Sequence, residues 1–270
     1  MLLAAWMGSA AAEMTEACFN TQDPQGQIDA CTAIIEAGSA TGDELAGVYI
    51  HRCMSYSVSG QGELALADCD RAVSLAPNAP QTHAGRGNVH AGLGRLEEAV
   101  DDYDEAIRLD ADYAFAYLSR AIALSALGRN ELAVADFDRL LEFGIPDEAL
   151  SAEVNNRRAV ALHLLALEHL AAGRPEDGLP LVDEALSVRP DDPSFISARA
   201  VILCALERPT GALDGFAQAI EIGGTNFARM YQQSLTNLGH RPGPIDGLWG
   251  TNSQNALVAW VESGCPPPAE

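Results

Sequence analysis

The six histidines are the first residues to consider for acid–base or metal chemistry, and their spacing suits neither task. No two of them form a His-Glu-x-x-His pattern, which would put two zinc ligands on one face of a helix. The acidic run from Asp101 to Glu105 would be spread around its helix, and it lacks the Asp-x-Asp-x-Asp-Gly loop that calcium requires. Gly-x-Ser-x-Gly and phosphate-cradling glycine motifs are also absent from the sequence. The sequence therefore predicts no enzyme, no metal site and no cofactor.

The balance of charge bears on the choice of partner. With 16 basic and 38 acidic residues, the chain carries a formal net charge of −22. Such a charge repels phosphate backbones and anionic lipids, so we expect neither nucleic acid nor a membrane surface as partner. The charge is spread along the chain, which is typical of a solvated surface.

The first twelve residues resemble the end of an export signal. A short apolar run from Leu2 to Met7 leads to small residues with an Ala10-x-Ala12 cleavage pattern. No Lys or Arg follows Met1, which a start codon placed too far downstream would explain; an ordinary amphipathic helix is the alternative. No later stretch has the uninterrupted apolar length of a membrane span. We expect residues 1–12 to be a signal peptide and the protein to be periplasmic or otherwise extracytoplasmic in a bacterium.

A repeat of 34 residues dominates the chain. The segments that show it most clearly are GQGELALADCDRAVSLAP (60–77), GRLEEAVDDYDEAIRLDA (94–111) and GRNELAVADFDRLLEFGI (128–145). A period of this length indicates stacked helical hairpins. In each segment a helix ends at the glycine, and small residues recur where two helices must approach closely. An aromatic residue or a thiol fills the slot between the small residues.

The positions of glycine, alanine, aromatic residue and proline resemble the tetratricopeptide repeat. Five repeats are counted, at 46–79, 80–113, 114–147, 159–192 and 193–226, with an incomplete leading repeat at 17–45. The fifth repeat is weaker, because Glu207 replaces the loop glycine. The fold class is therefore expected to be all-α, a solenoid of helical hairpins over residues 13–226.

Arginines and aspartates recur within the repeats. Arg52, Arg86, Arg120 and Arg199 share one slot of the first helix, and Asp68, Asp102 and Asp136 share one slot of the second. Such a ladder could bind an acidic ligand. We favour pairs between packed helices, because a charge at a helix–helix seam needs a partner to offset its desolvation.

Tetratricopeptide repeats usually hold a peptide on the face made by their first helices. The corresponding residues are Ile50, Met54, Asn88, Phe115, Leu118, Ile122, His163, Leu167, Ser197 and Val201. The face is apolar, and Ala84 stands where a carboxylate clamp would have lysine. We therefore expect an apolar helix or extended segment of a protein partner, centred on Met54, Asn88, Phe115, Leu118, Ile122 and His163. The alternative is that packing within the solenoid buries some of these side chains.

The six cysteines are an even number in an apparently exported chain, which suits disulfides. Cys53 and Cys69 lie on the two helices of one repeat, and Cys18 and Cys31 hold comparable places in the leading repeat. These positions predict the pairs Cys18–Cys31 and Cys53–Cys69, with Cys31–Cys53 as the rival and unoxidised buried thiols as the other alternative. Cys204–Cys265 is the pair that remains.

The segment from Phe227 to Gly264 predicts a helix, a rigid Gly/Pro loop and a last helix that begins near Thr251. It resembles the peptidoglycan-binding domain of bacterial wall proteins, on the residues Gln233, Leu235, Leu238, Gly239, Gly243, Asp246, Gly247, Trp249, Gly250, Ala256, Leu257 and Trp260. Ser253 and Val261 depart from the family's pattern. The resemblance implies a wall ligand at the loop residues Arg241, Pro244, Asp246 and Trp249, although we favour architectural roles for Asp246 and Trp249.

The sequence thus predicts four parts: a signal peptide (1–12), the solenoid (13–226), a peptidoglycan-binding-like module (227–264) and a tail (265–270). The expected function is a non-catalytic envelope adaptor that binds a protein through its repeats and peptidoglycan through its module. One alternative is a pure protein-interaction adaptor in which the module only caps the solenoid. Another is an accessory subunit or activator of a cell-wall hydrolase.

Overall fold

A computed structural model describes residues 15–19 and 23–265 of the chain, and every regular element within these ranges is an α-helix. After a helical stretch at 15–19, the helices are α1 (Pro24–Ala37), α2 (Gly42–Val58), α3 (Gly62–Leu75), α4 (Pro80–Gly92), α5 (Leu96–Leu109), α6 (Ala114–Ala126), α7 (Asn130–Phe143), α8 (Glu148–Ala171), α9 (Pro175–Val188), α10 (Pro193–Ala205), α11 (Pro209–Asn237) and α12 (Thr251–Glu262). No helix in the described ranges has the length and apolar character needed to cross a bilayer. The predicted signal peptide at 1–12 and the tail beyond Cys265 lie outside these residues.

The chain divides into two compact units between Gly144 and Ile145. The first unit contains the hairpins α2–α3, α4–α5 and α6–α7, in which each helix packs against the next. The second unit contains the hairpins α8–α9 and α10–α11, followed by α12 packed on α11. Each unit is therefore a stack of antiparallel helix pairs.

The turns within the hairpins explain the recurring glycine. Gly60, Gly94, Gly128 and Gly173 all have φ between 70° and 75°, the left-handed region that side chains disfavour. In the fifth repeat Glu207 adopts the same conformation, with φ of 56°. The fifth repeat therefore has the same turn as the other repeats despite its weaker sequence match, with some backbone strain at Glu207.

Small residues let the two helices of a hairpin pack closely around one large ring. A Cβ atom added to Gly87 would lie 2.8 Å from the Tyr103 ring, so only glycine fits there. In the third repeat Ala121 and the fully buried Phe137 take these two places. The first repeat has no ring at this slot and joins its two helices by the disulfide Cys53–Cys69.

Two further disulfides lie near the ends of the described chain. Cys18 is bonded to Cys31, which fastens the leading segment to α1. Cys204 of α10 is bonded to Cys265 beyond α12, which encloses the closing segment, Phe227 to Gly264, in a covalent loop. A covalent loop of this kind reduces the conformational freedom of the unfolded chain.

The closing segment does not form a separate core. The helix α11 kinks at Gly224 (φ 60°, ψ −148°), and residues of its second half pack against α10 as the first helix of another repeat would. The Tyr231 hydroxyl bonds the Ser197 hydroxyl 34 residues earlier, so the 34-residue spacing extends into the segment where the sequence indicated a break. One apolar cluster joins α10, α11 and α12, and it includes Leu203, Phe216, Ile220, Tyr231, Leu235, Leu257 and Val261. The segment therefore covers the last repeat.

Candidate functional site

Arginine–aspartate ion pairs join the two helices of a repeat and also link adjacent repeats in the first unit. Arg86 donates to Asp102 of its own repeat at 2.7–3.2 Å and to Asp70 of the preceding repeat at 3.0 Å. Arg120 repeats this arrangement with Asp136 and Asp104. The two carboxylates raise the pKa of each guanidinium further, so both arginines stay charged. These groups are already paired, as the seam interpretation of the ladder predicts.

The partner aspartates at the helix–helix seam, Asp68, Asp102 and Asp136, are all buried. Asp102 is only 5% exposed, and burial raises the pKa of Asp136 although Arg120 opposes that shift. Arg52 bonds Asp68 in the same way, and its third contact is the Thr32 hydroxyl of α1. The ladder therefore continues to α1 with a hydroxyl in place of the second carboxylate.

The face formed by the first helices of the first unit is the candidate docking face; we define it by Met54, Asn88, Phe115, Leu118 and Ile122. The helices α2, α4 and α6 that carry it contact one another in order. On α6, Phe115 and Ile122 are 46% and 41% exposed, and Leu118 lies between them on the same side of the helix. Large apolar side chains are thus presented to solvent without any charge among the five residues.

Asn88 has a structural partner within this face. Its side-chain oxygen accepts a hydrogen bond of 2.7 Å from the Tyr103 hydroxyl. Burial raises the pKa of Tyr103 to about 12, so the phenol keeps the proton that it donates. The amide oxygen of Asn88 is therefore engaged inside the second repeat, and the other four residues of the docking face are apolar.

His163, the sixth predicted docking residue, belongs to the second unit and lies on α8. Its ring stands 4.8 Å from the Phe195 ring, and burial lowers the pKa of the imidazole. The neutral form is favoured for that reason. His163, Ser197 and Tyr231 are spaced by 34 residues, and the last two share a hydrogen bond. Sequence analysis placed Ser197 on the face but missed Tyr231, since it read Tyr231 as part of a new module.

The loop from Arg241 to Gly250 is organised by Gln232, a fully buried side chain of α11. Its oxygen accepts from the Gly247 amide at 2.8 Å, and its nitrogen donates to the Leu248 carbonyl at 3.0 Å and to the Ser253 hydroxyl at 3.2 Å. Sequence analysis selected the neighbouring Gln233, which is exposed and bonds Asn237 of its own helix. The signal for Gln232 was its place in the buried stripe between Ala228 and Leu235.

Asp246 also has an architectural role in the loop. Its carboxylate accepts from the Leu248 amide at 2.9 Å and from Gln232 at 3.3 Å, and the amide bond in particular lowers the pKa of Asp246. Gly247 is buried with φ of 81°, and an added Cβ would lie 2.7 Å from the Thr225 carbonyl oxygen. The Asp-Gly pair therefore makes a tight turn against α11 that another residue at 247 would disrupt.

The last helix begins at Thr251 without a side-chain cap. The Ser253 hydroxyl, which was expected to help cap this helix, instead donates a hydrogen bond of 2.8 Å to the Pro242 carbonyl in the loop. Trp249 donates to Gln254 at 2.9 Å and packs edge-on against Tyr231. The Ser253 hydroxyl thus ties the last helix to the loop.

Some of the predicted wall-binding residues face solvent. Arg241, Pro244 and Asp246 are exposed, whereas Trp249 is half-buried. A shallow cleft of about 180 Å³ lies beside the loop, lined by Pro244, Asp246, Leu248, Thr251 and Asn252. Leu248 is 72% exposed, the largest exposure of an aliphatic residue in the closing segment. The loop therefore combines a rigid frame with an open surface.

Within the residues that the structure describes, no group of three or more His, Cys, Asp or Glu side chains could hold a metal ion.

Comparison with known families identifies the repeats. A family described as "TPR repeat" matches residues 87–128, and one described as "Tetratricopeptide repeat" matches residues 163–227. The chain contains tetratricopeptide repeats. The second match spans the weak fifth repeat with Glu207 at its turn, in agreement with the hairpins α8–α9 and α10–α11.

Solved structures of tetratricopeptide-repeat proteins share the fold. YrrB, described as a TPR protein with an unusual peptide-binding site, is 22% identical with a TM-score of 0.53, and the match covers 71% of this chain and 90% of that one. An ArsTM double mutant of MamA from RS-1 is 20% identical with a TM-score of 0.51, over 68% of this chain and 97% of the other. MamA from Desulfovibrio magneticus RS-1, residues 41 to end, has a TM-score of 0.50 at the same identity and coverage. None of the curated proteins compared with the chain matches it.

Proposed function

We propose that the protein is a non-catalytic interaction adaptor that binds an apolar segment of another protein on the docking face of its first unit. The observation that carries the proposal is the exposure of Phe115 and Ile122 on α6, at 46% and 41%, within a chain that is strongly charged elsewhere. Contiguous exposed apolar side chains mark interaction sites more often than isolated ones do. Tetratricopeptide repeats provide the scaffold for such a surface.

The chemistry of the docking face favours one kind of partner. Phe115, Leu118 and Ile122 recur at intervals that align them along α6, which matches the ridge of an amphipathic helix or the alternate side chains of an extended segment. A partner with a carboxylate in the same place would find no cation among the five residues that define the docking face, and Ala84 stands where a carboxylate clamp would have lysine. Apolar contacts therefore supply most of the affinity.

Replacement of Ile122 by aspartate is expected to weaken partner binding at least about tenfold, because burial of one large apolar side chain contributes about 1.5–3 kcal/mol. Peptides selected from a random library on the full-length protein would be titrated against both forms by fluorescence anisotropy. Leu132→Asp on α7, where the leucine is 55% exposed, is the matched control and should leave binding unchanged. Equal affinity of the wild-type and Ile122→Asp proteins would count against the docking face.

Association with the bacterial wall is a second candidate function, supported by the resemblance of the closing segment and by the open cleft beside a rigid loop. The same segment covers the apolar side of the last repeat, so capping accounts for its packing even without a wall ligand. The proposal places the protein outside the cytoplasm, and the three disulfides agree with an oxidising compartment.

Full-length protein is expected to sediment with purified peptidoglycan sacculi if the loop binds the wall. Pro244→Ala combined with Leu248→Ala should reduce the pelleted fraction several-fold while leaving the fold intact, because both side chains are exposed. The matched control is Met230→Ala, at a 45% exposed position on α11 away from the lining of the cleft. No pelleting of the wild-type protein would leave capping as the role of the segment.

A further inference from the structure

The fifth repeat interrupts the ion-pair ladder in one specific way. Arg86 bonds one carboxylate 16 residues before it, Asp70, and one 16 residues after it, Asp102. Arg199 bonds Asp183, which lies 16 residues before it, at 2.5 Å. The residue 16 positions after Arg199 is Gly215, which has no side chain to offer. Arg199 therefore has one of the two carboxylates that the arginines of the second and third repeats have.

A pocket opens where the second carboxylate would stand. It measures about 320 Å³ and is lined by Leu186, Ile196, Arg199, Asp214, Gly215 and Gln218; we call it the Arg199 pocket. The Arg199 side chain is 41% exposed, against 25% for Arg86 and 21% for Arg120. Within the described residues, Asp183 is the hydrogen-bond partner of Arg199, and the bond uses its Nε atom. The two terminal nitrogens are thus open to a ligand.

The neighbouring acids do not prevent an anion from binding there. Asp214 lines the pocket 15 residues after Arg199, and Asp101 occupies the same place relative to Arg86. In the second repeat Arg86 binds Asp70 and Asp102 at the same time, although Asp101 adjoins Asp102 in the sequence. A carboxylate in the Arg199 pocket would recreate that arrangement, and the planar guanidinium suits its two oxygens.

We propose that the Arg199 pocket binds a carboxylate group of another molecule in the place that Asp102 and Asp136 occupy in the second and third repeats. The ligand is either an acidic side chain of a partner protein or a small free carboxylate. This site belongs to the second unit and is separate from the docking face, so it stands whether or not the docking face binds a partner.

The test uses the full chain labelled with 15N and follows the Arg199 guanidinium resonances, assigned with Arg199→Lys. One arm titrates sodium acetate, and the other titrates a short neutral peptide with a single glutamate, both at 150 mM salt because surface charges are screened there. We expect saturable shifts with at least one probe and a loss of binding of about tenfold or more in Arg199→Ala, read from resonances of Gly211 and Gly215. Arg208→Ala, which removes an exposed arginine of the same unit, should leave the affinity unchanged.

A second variant supplies the carboxylate from within the chain. An aspartate at 215 alone would crowd Ala200, whose Cβ lies 2.9 Å from an added Cβ, so the variant is Ala200→Gly with Gly215→Asp, the pair found at Gly87 and Asp102. It should abolish probe binding. Saturation by the peptide but not by acetate assigns the ligand to a partner protein, and saturation by both assigns a general carboxylate site. The same peptide with glutamine in place of its glutamate is the control for charge. The proposal fails if neither probe shows saturable binding, if the glutamine peptide binds as tightly as the glutamate peptide, or if Arg199→Ala binds the probes with wild-type affinity.

Discussion

Replacement of Arg86 by alanine is expected to lower the free energy of unfolding by about 3–5 kcal/mol, because it leaves a buried charge without its partner. Asp102 is 5% exposed and accepts its closest hydrogen bond, of 2.7 Å, from Arg86. His83 and His90 lie 3.9 and 4.0 Å from the same carboxylate, too far to replace that contact. Urea unfolding followed by circular dichroism measures the change.

Arg199→Ala is the matched control, since it removes an arginine from the same slot of the fifth repeat. Arg199 and Asp183 are 41% and 47% exposed, so this change should cost less than about 1 kcal/mol. Arg86→Met combined with Asp102→Leu should recover most of the loss, because no unpaired charge remains. A similar loss in Arg86→Ala and Arg199→Ala would show that burial does not set the strength of the ladder.

Replacement of Gln232 by leucine is expected to cost about 3–4 kcal/mol with little change in side-chain volume. The leucine would leave the Gly247 amide and the Leu248 carbonyl without their buried partner, and each unsatisfied group costs about 1–3 kcal/mol. The loop should then lose its fixed conformation. Urea unfolding followed by circular dichroism measures the loss of stability.

Gln233→Leu provides the control at the adjacent, exposed position, and it should change stability by no more than about 0.5 kcal/mol. If both glutamine variants unfold at the same urea concentration, Gln232 does not organise the loop.

The periodic features of the molecule could be predicted from sequence. Each repeat forms the same kind of helical hairpin. The glycine turns, the small-residue contacts and the Arg–Asp slots therefore recur every 34 residues, and this period is visible in the sequence. The ion pairs of Arg86 and Arg120 follow from that pattern, since side chains in fixed slots of two packed helices must meet. The positions of Cys53 and Cys69 on the two helices of one hairpin could be predicted for the same reason.

Features that occur once were harder to predict. The role of Gln232 depends on a loop 15 residues away that folds back on its helix, and no local pattern distinguishes it from Gln233 except the buried stripe. The kink at Gly224 hid the 34-residue relation between Ser197 and Tyr231, because the turn that usually separates two helices is reduced to a single residue. The half-buried state of Met54 and Leu118 also depends on tertiary packing.

The most direct test of the adaptor account is to locate a bound partner segment on the first unit. A photoreactive benzoylphenylalanine placed at Ile122 would be irradiated with a peptide selected on the full-length protein, in parallel with the same probe at Leu132, an exposed position on α7. The account predicts cross-linked product from position 122 and almost none from position 132. Equal yields from the two positions, or product from position 132 alone, would contradict it.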